Sequence, residues 1–387
     1  MVTLATRMSR LGTDSAFEVL ARAKALEAQG RNIVHMGIGQ PDFPTPPHIV
    51  EAACKALRDG HHGYTPAGGI PELRQAVADD IHKYRGVEID PSTVLIAPGG
   101  KSVIFYACLM FGEKGAEIIT PDPGFLSYES AISFSGATAV PLHLREENGF
   151  AFDPDELLSL ITPKTRLIIL NSPANPTGGV VPREKIARLA EGLAKHPHVA
   201  ILSDEIYSRM LYDGHEHTSL LEFEEIRDRV ILLDGWSKTY AMTGWRIAYG
   251  IFPKSMYDDA ERLAINCHSC INTAAQYGGL AALTGPQDET EKMVAAFDER
   301  RRLIVLGLND IPGFSCLAPG GAFYAFANIT GTGLSAKEME EKLLNEAGVA
   351  TVAGTSFGGF GEGYIRFSYA TGKDQIAEAL KQIRACL

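Results

Sequence analysis

Between residues 93 and 251 the sequence alternates short apolar, β-branched runs with stretches of helical periodicity, and no other feature limits the possible folds as strongly. The runs are Thr93-Val-Leu-Ile-Ala, Glu117-Ile-Ile-Thr, 137–141, Arg166-Leu-Ile-Ile-Leu, Val199-Ala-Ile-Leu, Val230-Ile-Leu-Leu and Ile247-Ala-Tyr-Gly-Ile. Helical patterns lie between several of them, over 102–111, around Tyr128 and over 183–195. A strand that is apolar at every position must be covered on both faces, and a helix between consecutive strands returns the chain parallel to its start. The expected class is therefore α/β, a mostly parallel sheet between two layers of helices.

The flanks read differently. Ser15-Ala-Phe-Glu18 has the spacing of a capping box opening a helix that Gly30 would stop, and a strand-like Asn32-Ile-Val-His-Met follows. Residues 37–47 hold two glycines and four prolines, so they form an irregular crossing. Thr45 then caps a helix with Pro46 at its first position, ending at Gly60, and 71–85 reads as a further helix. Past the alternating region, 254–284 and 286–309 read as long helices. After them come a strand over 321–327, a helix over 335–347, a short strand over 349–352, a glycine-rich loop over 354–363, a strand over 364–369 and a helix over 374–386. A chain of 387 residues exceeds what one simple core accommodates. The expected division is a large domain over 47–285 and a smaller α+β domain built from 1–46 and 286–387.

Charge narrows the partners. Lys and Arg number 36 against 47 Asp and Glu, a net charge of −11, which disfavours nucleic acid and anionic membrane. No apolar run approaches the roughly 18 residues a membrane span needs. The first ten residues lack the apolar core of a secretion signal, so the expected compartment is the cytoplasm. The six cysteines read as reduced thiols, five of them in apolar or helical surroundings. Cys267-His-Ser-Cys270 has no second pair to complete a zinc site, and His215-Glu-His217 and His196-Pro-His198 read as loop histidines without a carboxylate in register, so no metal is expected.

Ligands of α/β sheets bind beyond the carboxyl ends of the strands. Four polar clusters fall there: Pro98-Gly-Gly-Lys101, Asn171-Ser-Pro-Ala-Asn-Pro-Thr-Gly178, Ser203-Asp-Glu-Ile-Tyr207 and Ser237 to Arg246. Gly99-Gly100 ahead of a helix is either a tight turn or a backbone cradle for a phosphate. Asp204, directly after a buried strand, is partly desolvated and needs a cationic partner. Lys238 is either a solvated loop lysine or, if buried, an amine whose lowered pKa makes it a nucleophile.

In combination these motifs resemble the class I aminotransferases, pyridoxal-phosphate enzymes of fold type I in the aspartate-aminotransferase superfamily. The likeness runs from Gly39-Gln-Pro-Asp-Phe through Tyr64-Thr-Pro, Asn171-Ser-Pro-x-Asn-Pro-Thr-Gly, Ser203-Asp-Glu-Ile-Tyr and Ser237-Lys-x-x-x-Met-x-Gly-Trp-Arg to Arg366-Phe-Ser. The resemblance implies a seven-stranded type of large sheet and pyridoxal 5'-phosphate held by Lys238 as a Schiff base, with Lys238 shuttling the substrate's α-proton. It implies that Asp204 pairs with the cofactor's ring nitrogen and that Tyr207 and Asn175 bond its phenolic oxygen. Phe125 would stack on the ring. Gly99, Gly100 and Lys101 backbone groups, Ser237 and Arg246 would hold the phosphate, with Tyr64 reaching it from the neighbouring subunit of a homodimer with shared active sites. Arg366 would bind the substrate's α-carboxylate, assisted by Gly39 and Asn175.

Two departures stand out. Gly235 occupies a position where the family often has a phosphate-binding hydroxyl. The segment 264–273, where one dicarboxylate-specific branch supplies an arginine to the partner, has none and offers Asn266, Cys267, His268, Ser269, Cys270 and Asn272. Lys101 matches a lysine that faces the distal carboxylate in another bacterial branch accepting aspartate and, in some members, prephenate; the companion hydroxyls are loosely matched by Thr13 and Ser15. The implied activity is a ping-pong exchange between an L-amino acid and a 2-oxo acid, of aspartate/glutamate, aromatic/prephenate or alanine type. A lyase of the β-C–S type on the same fold and a non-catalytic regulator are the alternatives.

Overall fold

The computed structural model describes residues 2–13 and 15–387. After the first helix (Ser15–Glu27) and a two-residue strand, β1 (Val34–His35), come the strands of the large sheet: β2 (Val94–Ala97), β3 (Glu117–Asp122), β4 (Thr138–His143), β5 (Thr165–Asn171), β6 (Ala200–Asp204), β7 (Val230–Gly235) and β8 (Ala248–Ile251). Their order is β2-β8-β7-β6-β5-β3-β4, and β8 alone runs against the rest, pairing antiparallel with β2 and β7.

The apolar runs follow from how these strands divide their side chains. Ile96, Ile168, Ile201 and Leu232 enter one core, while Leu95, Leu167, Ile169, Leu202, Ile231 and Leu233 enter another on the opposite face. Successive residues of a strand point to opposite faces, so two covered faces demand apolar residues throughout. The helix Gly100–Phe111 covers the second face and Arg183–Leu193 the first.

A third core joins β1 to the C-terminal elements β9 (Tyr324–Asn328), β10 (Val349–Ala350), β11 (Val352–Ala353) and β12 (Tyr364–Ser368) and to the helices Asp288–Asn309 and Lys373–Cys386. Val34 pairs in parallel with Val349, and β12 lies between β11 and β9. Among the described residues no helix is long and apolar enough to cross a membrane.

Several local expectations are corrected. Ser15 is already helical, and Glu18 instead accepts from the Thr13 hydroxyl. Thr45 does not cap the helix Pro47–Arg58; its hydroxyl donates to the Ala241 carbonyl at 2.8 Å, tying the irregular crossing to the lysine loop. The helix expected over 254–284 is two, Lys254–His268 and Thr273–Thr284. Ser269 breaks it at the centre of a γ-turn (φ 64°, ψ −64°), and the Asn272 side chain caps the second helix at the Ala275 N–H, 2.9 Å away. Only Cys108 and Cys316 are buried among the six thiols, and Cys267 is exposed. Among the described residues no three metal-ligating side chains cluster.

Candidate active site

The carboxyl ends of β2, β3, β5, β6 and β7 open on one cavity of about 470 Å³. Gly39, Gly100, Lys101, Phe125, Asn175, Asp204, Tyr207, Ser237, Lys238, Arg246 and Arg366 all line it. Lys238 sits in a single helical turn, Trp236–Thr239, immediately after β7. Its Nζ donates to the Gly39 carbonyl at 2.5 Å. Desolvation, reinforced by Arg366 and Arg246, lowers the amine to about 7.

Asp204 ends β6 and is buried. It accepts from the Tyr128 hydroxyl at 2.7 Å and from the Ile206 N–H at 3.2 Å, yet burial raises it to about 7. The Asn171 side chain donates to the Asp204 carbonyl at 2.9 Å and accepts from the Asn175 N–H at 2.9 Å, fixing the loop after β5 against β6. Tyr207 and Tyr324 share a hydroxyl–hydroxyl bond of 2.7 Å, and burial raises the Tyr207 phenol well above its ordinary range.

Arg366, on β12, reaches the cavity from the C-terminal part of the chain. It donates to Asn175 Oδ1 at 3.0 Å and to the Gly37 carbonyl, and its guanidinium lies over the rings of Tyr324 and Phe357 at 4.6 and 4.7 Å. The planar donor fork is thus oriented before any substrate arrives. Lys101 Nζ, also at the cavity, lies 5.2 Å from the centre of the Phe125 ring.

Gly99 caps the helix Gly100–Phe111 at φ 89°. A Cβ there would stand 2.1 Å from Arg246 Nη2, so the bare backbone and the guanidinium share one cradle. Arg246 is held by the carbonyls of Thr243 (2.8 Å) and Pro98 (3.4 Å). The absent hydroxyl at Gly235 has a packing cause, since a Cβ there would lie 2.7 Å from Ala248 Cα across the β7–β8 pair. Tyr64 does not join this cavity; it is 93% exposed.

Tyr128, Tyr324 and Phe357 were not among the residues that the sequence motifs single out, and Asn171, which opens one of those motifs, was given no role. Tyr128 lies three residues after Phe125, in the first turn of the helix Ser127–Ser135 that follows it, a nearness that could have nominated it.

Residues 31–383 match the family model for aminotransferase class I and II. An aspartate aminotransferase of Pyrococcus horikoshii is 38% identical over 386 residues, covering 99% of this chain and 97% of its own. An aromatic-amino-acid aminotransferase of Thermococcus litoralis is 38% identical over 93% of each chain. Among solved structures, the aspartate aminotransferase of Rhizobium meliloti superposes with a TM-score of 0.95 at 33% identity, covering 100% of this chain and 99% of that one. The alanine aminotransferase of Pyrococcus furiosus does so with a TM-score of 0.93 at 31% identity, over 99% of each.

Fold and site together thus define a pyridoxal-phosphate-dependent enzyme of the α/β class. Within that class the chain belongs to the class I and II aminotransferases and is an aminotransferase.

Proposed function

We propose that the chain moves the amino group of an L-amino acid to a 2-oxo acid by a ping-pong route, with Lys238 holding the cofactor covalently between half-reactions. The observation that carries this is the convergence on one cavity of an amine lowered to about 7, a buried carboxylate on the adjacent strand and a pre-oriented arginine.

The residues present fit the cofactor. A phosphate suits the Gly99–Gly100 backbone at a helix N-terminus beside Arg246, with Ser237 and the Lys101 N–H on the same wall. Asp204 suits a protonated ring nitrogen, Tyr207 and Asn175 a phenolic oxygen, and Phe125 a ring face. When bound, pyridoxal phosphate supplies a carbonyl that links to amines and a ring that takes up the electrons of the broken Cα–H bond. Asp204, ionised, holds the ring-nitrogen proton in place. Arg366, with Asn175 and Gly39 beside it, clamps the substrate's α-carboxylate and so orients the Cα–H bond toward Lys238. Lys238 Nζ, near neutrality in its proton affinity, takes that proton and returns it during the exchange.

Relatives named for aspartate, aromatic amino acids and alanine bracket the substrates. Lys101 favours a donor with a distal carboxylate, aspartate or glutamate, and the Phe125 ring beneath it extends the range to aromatic or prephenate-like chains. A homodimer is supported by Tyr64, whose exposed ring stands on a loop braced by Thr273 (2.9 Å to the Gly63 carbonyl) and Gln276 (2.9 Å to the Thr65 hydroxyl) and so can reach a second copy's phosphate. A large lobe over 47–285 and a small lobe of 1–46 with 286–387 is supported by the third core, drawn mainly from β1 and the C-terminal elements, and by the β1–β10 pairing. Thiols deep in the core suit a reducing cytoplasm.

The test is a half-reaction screen. A donor amino acid alone should convert the cofactor's absorbance once and stop, and a 2-oxo acid should restart it. Lys238→Ala should lose the covalent absorbance and fall by orders of magnitude in transamination. Sustained turnover on donor alone would replace this reading with a lyase.

A further inference from the structure

Behind the strand ends that carry Asp204 and Lys238 lies a buried ion cluster that the reaction as described leaves unused. Arg85, the last residue of the helix Pro71–Arg85, is 3% exposed in its side chain. Its Nε donates to Glu205 Oε2 at 2.8 Å and its Nη2 to Asp234 Oδ2 at 2.5 Å. Glu205 directly follows Asp204, and Asp234 lies on β7, four residues before Lys238. One guanidinium therefore bridges the ends of both strands from the side away from the cavity that Asp204 lines.

The remaining lone pairs are filled. Glu205 also accepts from Ser203 and Ser219 hydroxyls (2.9 and 2.7 Å) and bonds His217 Nε2 (2.7 Å). Asp234 also accepts from the Gly235 N–H (2.7 Å) and the Ser208 hydroxyl (3.2 Å). His217 is thus a partner of this carboxylate, and not the loop histidine without one that its sequence setting suggests. A cleft of about 830 Å³, lined by Arg85, Ser208 and His217 but by none of the residues converging on Lys238, gives this cluster its own path to solvent.

We infer that Arg85 and Glu205 are positioning residues for the cofactor: Arg85 ties the two strand ends together and offsets the charge of Glu205 and Asp234, which would otherwise drive Asp204 to take up a proton. Three buried carboxylates stand on two neighbouring strands, and one guanidinium serves two of them. Asp204 is faced otherwise by Tyr128, Tyr207 and Lys238. Glu205 and Asp234 already push the Asp204 carboxyl upward beyond what burial does, against the bonds from Tyr128 and Ile206. Burial pushes Glu205 up too, but His217 and Arg85 outweigh it and hold it ionised, so its charge is permanent at neutral pH. Without Arg85 only His217 and the serine hydroxyls face that charge, and Asp234 loses its cation.

This rests on the proposed pairing of Asp204 with the cofactor's ring nitrogen, which requires the ionised carboxylate, so cofactor binding weakens as pH falls through the Asp204 titration. The experiment measures the pyridoxal-phosphate dissociation constant of the full chain from pH 5.5 to 9, with the apoprotein's thermal midpoint as a fold control. Arg85→Met should shift the acid limb upward by about one unit, which weakens binding about fivefold at pH 7, near the Asp204 midpoint, and about tenfold well below it. Glu205→Gln should shift it downward, and Arg85→Met/Glu205→Gln, which restores the cluster's charge, should return it to within about threefold of the wild type.

Opposite shifts cannot come from a role in stability alone. Limbs that fail to move, or that move together in proportion to lost thermal stability, would overturn the inference. If Arg85→Met does not fold, Glu205→Gln and Asp234→Asn keep the test, since both must move the limb downward. Asp204→Ala separates the premises. If it keeps the acid limb, the role of Asp204 is wrong; if it abolishes the limb while the cluster variants leave it unmoved, only the present inference fails.

Discussion

The lowered proton affinity of Lys238 makes a stability prediction that needs no substrate. In the unfolded chain the amine titrates at its ordinary 10.5, and in the folded apoprotein at about 7. Between those values the folded state binds fewer protons than the unfolded state, so stability rises with pH across the window and is lost as pH falls toward 7. Below about 7 both states are protonated and the penalty is constant. Taken at face value the shift costs the apoprotein roughly 4 kcal/mol at pH 7 and under about 1 kcal/mol above pH 10. Lys238 opens on a cavity and is only partly buried, so solvent screening reduces the figure to roughly 2 kcal/mol. Lys238→Met removes the charge, keeps the alkyl length and forfeits the bond to the Gly39 carbonyl, worth about 1 kcal/mol. Apo Lys238→Met should therefore be about 1 kcal/mol more stable than the apo wild type at pH 7, and the advantage should vanish or reverse near pH 10. Urea unfolding of both apoproteins at one fixed concentration, at pH 7, 8.5 and 10, checks this. A variant that is less stable at pH 7, or whose advantage grows with pH, would refute the argument that desolvation sets the amine's proton affinity.

Gly99→Ala should raise the cofactor's dissociation constant by at least about tenfold, because the nearly glycine-only backbone there (φ 89°, ψ 159°) costs a side chain roughly 1–3 kcal/mol and the new Cβ would drive Arg246 out of the cradle; fluorescence titration with pyridoxal phosphate reads it. Lys101→Ser should lower kcat/KM for aspartate or glutamate by about tenfold or more relative to alanine, since a charge-assisted bond to the distal carboxylate is worth roughly 1.5–3 kcal/mol; equal losses on all three donors would remove Lys101 from side-chain recognition.

What the sequence disclosed and what it withheld divide along a physical line. The large sheet was legible because both of its faces are covered, which forces the unbroken apolar runs of β5, β6 and β7. Asp204 was legible because a polar residue directly following such a run is conspicuous, whereas Lys238 and Asn175 were legible through the motifs that carry the family resemblance. The partners that tune them were not. Tyr128 meets Asp204 from 76 positions away, Tyr324 meets Tyr207 from 117, and Arg85 meets Glu205 from 120. No local pattern records such a meeting, because the tertiary fold brings the pair together. The same holds for Thr45, whose position before two prolines reads as a cap until the Ala241 carbonyl, 196 residues on, competes for its hydroxyl. Ser269 is the converse case: the break is local, marked only by the polar run 266–270 within an otherwise helical stretch.

These long-range partners also explain why the site is poised as it is. Lys238 and Asp204 face one cavity, both displaced toward 7 by burial, the amine from above and the carboxyl from below. Two such groups in direct contact would hold each other charged, with the amine high and the carboxyl low. They do not meet: Nζ is spent on the Gly39 carbonyl and the carboxylate on Tyr128 and Ile206. Each is kept short of a counter-charge by bonds to neutral groups, and each lacks what one ligand brings, a cation for Asp204 and an electrophilic carbonyl for Lys238. Arg246 and the Gly99 backbone wait likewise for an anion. The apoprotein therefore carries its electrostatic cost within one cavity, and on the proposed roles of these residues a molecule with a phosphate, a protonated ring nitrogen and a carbonyl would relieve it at three points. By linkage, binding should stabilise the fold by more than the new contacts alone would supply, because it also removes the desolvation penalty of groups already buried.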